Sequence, residues 1–493
     1  MHHLSGSQLA LSSDERDPAH QARRGREERE LLRAASGVRF RGTFETGDVE
    51  PLKSADLTER LDAIWPQTAS RCEARTILVA VSGGPDSLAL LALAADLDAR
   101  RYVVRAATVD HGLRPEAAAE ARHVAAICRD LRVPHRTLPW RGWTGRGNLQ
   151  AAARNARYDL VLREARRTGA GAILTAHHLE DQLETVLHAI SRGDGAERRA
   201  GMRETRELDP RTVLLRPFLS VSPARLHAVL GSQGLRAIED PSNLDDRFAR
   251  VRHRRAIAGM SQDERDGLLA TMKSAARLRA ERDERLADAF TQFCAEGLVF
   301  DDAACAILPR SAFATLDPCV AAPLLARLLT SVGGAAHGPR RENVDGLLSA
   351  LREGETRTLN GARASASGDR VIMAREFGRD GPPPCDGPRD DIPAVFDRRF
   401  EIAWPQGQHG SRAHLGAYGT TGRGDARTRT LPCLFGGDGT LLAAHGAVAA
   451  REERAGRPIE TLANLASLLP WRCLADLPER PGFASMRARS RLR

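Results

Sequence analysis

From residue 76 onward, short apolar runs alternate with amphipathic stretches. Residues 77–81 form a continuous apolar run of strand length, followed by a Ser/Gly/Pro/Asp turn and a helical segment at 88–97. Residues 103–109 repeat the strand pattern, 117–131 read as a helix, and 170–174 form another apolar run ahead of a further helix. This alternation predicts an α/β fold, a parallel sheet with helices on both faces. Residues 261–298, dense in Arg, Glu, Ala and Leu, predict a helical linker. A helix at 342–351 and strands at 356–359 and 370–373 then suggest a small α+β unit. Three prolines at 382–384 mark a linker, 394–404 looks like a strand, 406–430 reads as a Gly/Arg/Thr-rich loop, and 431–442 is strand-like but broken at 436–439. The expected division is a polar extension over 1–50, a catalytic domain over 51–258, a helical linker and α+β domain over 259–380, and a mixed or β domain with an insertion over 381–493.

At 493 residues the chain exceeds what one hydrophobic core fills, which agrees with several domains. The net charge of +9 comes from 73 basic against 64 acidic residues, and all the basic residues except Lys53 and Lys273 are arginine. Chemistry that depends on a protein lysine, such as a Schiff base or a Walker lysine, therefore has almost no candidates. The positive excess suits an anionic partner such as RNA, and would equally follow from a coding bias toward arginine. The eight cysteines are scattered without a C-x-x-C pair, which suits a reducing compartment. The apolar stretch 88–95 is far shorter than the roughly 20 residues of a membrane helix, and no apolar signal core opens the chain. The expectation is a soluble cytoplasmic protein with no membrane partner.

The strongest chemical signal is Ser82-Gly83-Gly84-Pro85-Asp86-Ser87, set between a predicted strand and a predicted helix. Glycines let the backbone approach an anion, the helix N-terminus supplies free N–H groups and partial positive charge, and Ser82 and Ser87 add hydroxyls. Asp86 needs a cation between itself and phosphates, which makes it the candidate Mg²⁺ ligand. An ordinary strand-to-helix turn with a serine cap is the plainer alternative. The pattern S-G-G-x-D-S resembles the PP-loop ATP pyrophosphatases, which implies ATP cleaved between its α and β phosphates and an adenine nucleotide α-hydrolase-like fold.

A second group follows the predicted third strand, in Thr175-Ala176-His177-His178-Leu179-Glu180-Asp181-Gln182-Leu183-Glu184-Thr185. On a helix His177, Asp181 and Glu184 fall on one face at i, i+4 and i+7. Such a set could bind a metal, form an ion-pair row, or grip an ammonium group and take its proton. Arg154 and Arg157 lie on another predicted helix, where a solvated face and a functional role are equally open.

Six segments together are similar to tRNA(Ile)-lysidine synthetases: the loop at 82–87, Asp110-His111-Gly112-Leu113-Arg114, the helix opened by Asn148-Leu149-Gln150, the 177–185 segment, Arg216-Pro217-Phe218-Leu219, and Glu239-Asp240-Pro241-Ser242-Asn243. The resemblance covers about residues 76–255. It implies a ligase using ATP and Mg²⁺ that adenylates the C2 oxygen of the wobble cytidine in the isoleucine tRNA bearing CAU. The ε-amine of free L-lysine then displaces AMP, and decoding switches from AUG to AUA. It further implies ATP contacts at Ser82, Gly83, Gly84, Pro85, Asp86, Ser87, Asp110 and His111. Lysine or tRNA contacts are implied at Arg154, Arg157, Asp181, Glu184, Arg216, Asp240 and Asn243, and catalytic roles at Asp86, His177, Asp181 and Glu184. A homodimer is allowed. The chain departs from the family pattern at Glu180, where an aspartate is usual, and at Arg250-Val251, where Arg-Asn is common. The Glu180 change is expected to alter packing around Asp181 rather than chemistry.

The alternative readings are a PP-loop tRNA thiolase and a nonenzymatic RNA-binding relative. A thiolase generally needs cysteines near these motifs, and only Cys128 approaches them. Intact Asp86, Asp181 and Glu184 argue against loss of catalysis.

Overall fold

The computed structural model describes residues 40, 49–65, 75–113, 115–141, 149–239, 249–311, 317–387, 393–403, 413–462, 465–481 and 483. Nearly all of the 1–50 extension, Asp240 and Asn243 lie outside these. The chain forms two compact units, Met1–Met272 and Lys273–Arg493.

The first unit is built on a six-stranded sheet. In chain order its elements are α1 (Ser54–Ile64), β1 (Arg75–Ala80), α2 (Pro85–Ala95), β2 (Tyr102–Asp110), α3 (Ala117–Asp130), β3 (His135–Pro139), α4 (Leu149–Thr168), β4 (Ala172–Leu174), α5 (Leu179–Ser191), β5 (Thr205–Glu207), β6 (Val213–Leu215), α6 (Pro223–Gln233) and α7 (Ala249–Ala258). The strand order is β3-β2-β1-β4-β6-β5, parallel throughout except at the β5 edge. The central strand carries apolar side chains on both sides of the pleat, as a sheet covered twice requires. Ile77 and Val79 join a core with Leu88, Leu91, Val124 and Leu226, while Leu78 joins Ala107, Val161, Ile173 and Leu214 on the opposite face. Helix α2 is buried nearly all round, from Ser87 to Ala94, which explains its unbroken apolar sequence. The strand β3 carries no pattern that predicts it, because only Leu138 of its five residues is buried and no alternation results.

The second unit has one contiguous core under three sheets. The helix α8 (Gln262–Glu296) is 35 residues long, and the division between units falls within it. A five-stranded sheet containing the predicted strands, observed at Thr356–Leu359 and Arg370–Arg375, also takes in Ala362–Ser367 between them. Two expectations need correction. The single strand at 394–404 is a hairpin, Ala394–Phe396 against Phe400–Ile402, because Asp397 and Arg398 turn the chain with φ of 48° and 54°. The loop expected over 406–430 contains a strand, His414–Ala417, paired with Pro432–Phe435, since its Leu415 and Ala417 fill the core. Among the described residues no helix is long and apolar enough to cross a membrane.

A buried charge fixes that hairpin. Arg399 is fully buried, and its Nε donates to Asp397 Oδ2 at 2.7 Å and its Nη2 to the Thr430 carbonyl at 2.6 Å. Arg375 Nε also donates to Asp397 Oδ2, at 2.9 Å. Replacing Asp397 with Ala strands two guanidiniums and is expected to cost about 3–5 kcal/mol, read as a lower urea midpoint.

Candidate active site at the switch point of the sheet

Strands β1 and β4 are neighbours, yet the chain leaves β1 toward β2 on one side and β4 toward β6 on the other. In open α/β sheets ligands enter the crevice at the carboxyl ends of such a pair. The two signals read from the sequence lie there: the 82–87 loop follows β1, and the 175–184 segment follows β4.

The loop is shaped by steric exclusion. Gly83 has φ of 84°, and a Cβ built on it would lie 2.4 Å from Ile238 Cδ1 and 3.1 Å from Val124 Cγ2. Its carbonyl accepts the Ile238 N–H at 2.9 Å. Gly84 caps α2 and Pro85 opens it, leaving the first-turn N–H groups turned toward the crevice end of the sheet. Ser87 Oγ donates to the Gly84 carbonyl at 2.9 Å and accepts the Ser82 N–H at 3.2 Å. Asp86, in the first turn, has Oδ1 3.1 Å from His227 Nε2 on α6 and Oδ2 3.7 Å from His178 Nε2.

At the end of β2, Asp110 Oδ1 accepts the Gly112 N–H at 2.9 Å, which turns the chain and presents His111. Arg157 Nη2 lies 3.4 Å from His111 Nε2 and the Trp140 ring meets it edge-on at 5.9 Å. Because a guanidinium only donates, Nε2 is the acceptor and Nδ1 carries the proton. That Nδ1–H is buried without a partner among the described residues. Burial and then Arg157 lower the His111 pKa, against Asp110. An orphan donor beside a phosphate-type loop fits an acceptor on a bound nucleotide. Arg154 instead stacks over Tyr158, at 5.6 Å.

The segment after β4 differs from the helical reading. Helix α5 starts at Leu179, so His177 precedes it and does not share a helical face with Asp181 and Glu184. The cause is local. His178 is extended (φ −125°, ψ −175°) and caps the helix, its Nδ1 accepting the Glu180 N–H at 3.2 Å while its own N–H donates to Asp181 Oδ2 at 3.0 Å. With Nδ1 an acceptor, His178 carries its proton on Nε2, which faces Asp86 Oδ2 at 3.7 Å and Asp181 Oδ2 at 3.6 Å. His177 Nδ1 instead pairs with Thr175 Oγ1 at 3.0 Å.

Asp181 and Glu184 are buried, and two arginines of α7 already occupy them. Arg250 bridges both, bonding Asp181 Oδ1 through Nη2 and Glu184 Oε2 through Nε at 2.6 Å, while Arg254 Nε donates to Glu184 Oε1 at 2.8 Å. Glu180 turns away to Arg265 Nη2, 2.8 Å off. Burial alone would raise the Asp181 pKa, but His178, Arg250 and His177 more than offset it and the net shift is downward. Desolvation pushes the His177 imidazole down to about 4, opposed by Asp181 and reinforced by Arg216, Arg250 and Arg154. Arg216 is buried, with Nη1 on the Arg203 carbonyl at 2.7 Å and Nε unpartnered among the described residues.

Most sequence candidates therefore converge, with the phosphate loop, His111, Arg157, His177, Asp181 and Glu184 all at the carboxyl ends of β1, β2 and β4. His178, His227, Arg250 and Arg254 were missed as site residues. Asp181 signalled His178 as its cap three residues earlier, but nothing in α6 or α7 marks which polar residue turns inward.

A family model described as a PP-loop domain matches residues 55–260. The chain is 35% identical over 372 residues to the tRNA(Ile)-lysidine synthase of Ruegeria pomeroyi, an alignment covering 74% of this chain and 87% of that one. It is 39% identical over 350 residues to the protein of that name from Methylobacterium nodulans, covering 67% and 98% respectively.

Two expectations follow from the geometry. Gly83→Ala forces the loop away from Ile238 and into a disfavoured backbone region, so stability falls by about 1–3 kcal/mol and nucleotide affinity falls with it, both readable by thermal shift with and without ATP. The His177 imidazole is expected to titrate near pH 4, to be read from its ring resonances by NMR. Its folded pKa lies below the unfolded value of about 6.5, so its contribution to stability is complete above that pH and is lost on falling toward 4. His177→Gln is expected to flatten the acid limb of the melting curve over that window.

Proposed function

The chain belongs to the tRNA(Ile)-lysidine synthase family, and on that premise we propose that it joins free L-lysine to the wobble cytidine of the CAU-bearing isoleucine tRNA at the expense of ATP. The observation that carries this reading is the meeting of a phosphate loop and a buried acid pair at one switch point, with His178 Nε2 facing an aspartate of each, Asp86 at 3.7 Å and Asp181 at 3.6 Å. The catalytic unit corresponds to residues 51–258, with the 259–380 and 381–493 regions serving the tRNA, and the reaction takes place in the cytoplasm.

The loop N–H groups and the α2 N-terminus hold the ATP phosphates, and the buried Nδ1–H of His111 supplies a further donor. Asp86 would hold the Mg²⁺ ion of the site. A hard cation of that kind would take a carboxylate oxygen such as those of Asp86. Bound there, Mg²⁺ would supply positive charge against the phosphates. The cytidine C2 oxygen attacks the α phosphorus and pyrophosphate leaves; the lysine amine then attacks C2 and AMP leaves with that oxygen.

The amine arrives as an ammonium with a reference pKa of about 10.4 and must shed a proton. Asp181 and Glu184 receive it in exchange for a guanidinium, since Arg250 and Arg254 sit on them. His177 and Asp181 are both held in deprotonated forms, so either is free to accept the proton and, being weakly basic, to pass it on.

The test is incorporation of labelled lysine into a CAU isoleucine tRNA transcript, with ATP and Mg²⁺, beside a methionine tRNA. Labelling of the isoleucine tRNA alone is expected; labelling of neither, or of both, overturns the proposal. Asp181→Asn is expected to raise the lysine KM about 10–100-fold, the range of one lost charge-assisted hydrogen bond, with helix content by circular dichroism unchanged.

A further inference from the structure

We infer that His227 is a positioning residue for adenylation, fixing the Asp86 carboxylate in the orientation that meets the cation and the ATP phosphates. The inference rests on the reading of Asp86 as a cation ligand. His227 lies on α6, outside every motif that marked the site, and reaches Asp86 across 141 positions of sequence. Its Nε2 is 3.1 Å from Asp86 Oδ1, and since an ionised carboxylate only accepts, the imidazole donates.

Asp86 stands in the first turn of a helix, where a short acidic side chain has competing choices. It can fold back onto free backbone N–H groups of its own turn, extend to water, or point across the loop. The His227 hydrogen bond selects the last. Helix α6 packs on α2 through buried Leu226, Val229 and Leu230, so the imidazole is held by a rigid support, while its own side chain is 23% exposed. One lone pair of Oδ1 is taken by His227. The remaining lone pairs, including both on Oδ2, which only approaches His178 at 3.7 Å, are left for a cation. A hydrogen-bond donor behind a ligating carboxylate is the usual way in which a protein orients such a ligand, and removing one typically costs about 10–100-fold in metal affinity.

The experiment compares ATP binding by calorimetry, with Mg²⁺ and with EDTA, for wild type, His227→Leu and His227→Gln. Gln retains an N–H near the position of the imidazole Nε2 and Leu does not. The expected result is that the Mg²⁺-dependent gain in ATP affinity falls about tenfold or more in the Leu variant and stays within about twofold in the Gln variant. Affinity in EDTA is expected to be equal in all three, and so is the lysine KM of the full reaction. A full Mg²⁺-dependent gain in the Leu variant overturns the inference alone. Equal losses in the Leu and Gln variants, in EDTA as well as in Mg²⁺ and accompanied by a lowered melting temperature, also overturn it, by showing that His227 only supports the fold. A wild type with no Mg²⁺-dependent gain overturns the reading of Asp86 and the inference with it.

Discussion

Asp86 and Asp181 converge on one imidazole, His178, at 3.7 and 3.6 Å, and two carboxylates facing one partly buried point repel each other unless positive charge or hydrogen bonds meet them from elsewhere. Much of the surrounding structure answers that demand. The N-terminus of α2 and His227 serve Asp86. The backbone N–H of His178 and the guanidinium of Arg250 serve Asp181. Arg250 and Arg254 then tie Glu184 to the same helix, and apolar packing of Leu183 and Val186 with Ile257 and Leu268 closes the contact. The docking of α7 is thus a consequence of charge brought together by the switch point.

The same constraint separates what the chain disclosed in advance from what it concealed. The phosphate loop was legible because all its causes are local: an apolar strand, a glycine that must take positive φ, a proline opening a helix. The parallel sheet was legible because β1 and β2 are apolar enough to be covered on both faces. His177 was misplaced by assuming that the helix began with it. One extended residue, His178, moved the start and so changed which histidine faces the acids. His227 and the α7 arginines were hidden for a different reason. Their partners lie 66 to 141 positions away, and no periodicity within a helix says which of several polar residues turns inward. In the second unit, the strand at His414–Ala417 was lost in a Gly/Arg-rich background whose composition reads as loop.

The near absence of lysine acquires meaning at the acid pair. A guanidinium is a planar fork, and Arg250 uses two of its nitrogens to span Asp181 and Glu184 at once, which an ammonium cannot do with the same directional fit. Arg250 is therefore the competitor that the proposed lysine ammonium has to displace. Arg250 is 53% exposed and has water within reach, whereas Asp181 and Glu184 are buried, so a departing guanidinium has to be replaced by another cation rather than by solvent. The proposed exchange then depends on the carboxylates staying fixed while the cation changes. Asp181 is held independently of Arg250 by the His178 N–H on Oδ2, and Glu184 by Arg254 on Oε1. On the proposed exchange, the buried oxygens that Arg250 leaves, Asp181 Oδ1 and Glu184 Oε2, are the acceptors the amine meets, in positions set before it arrives.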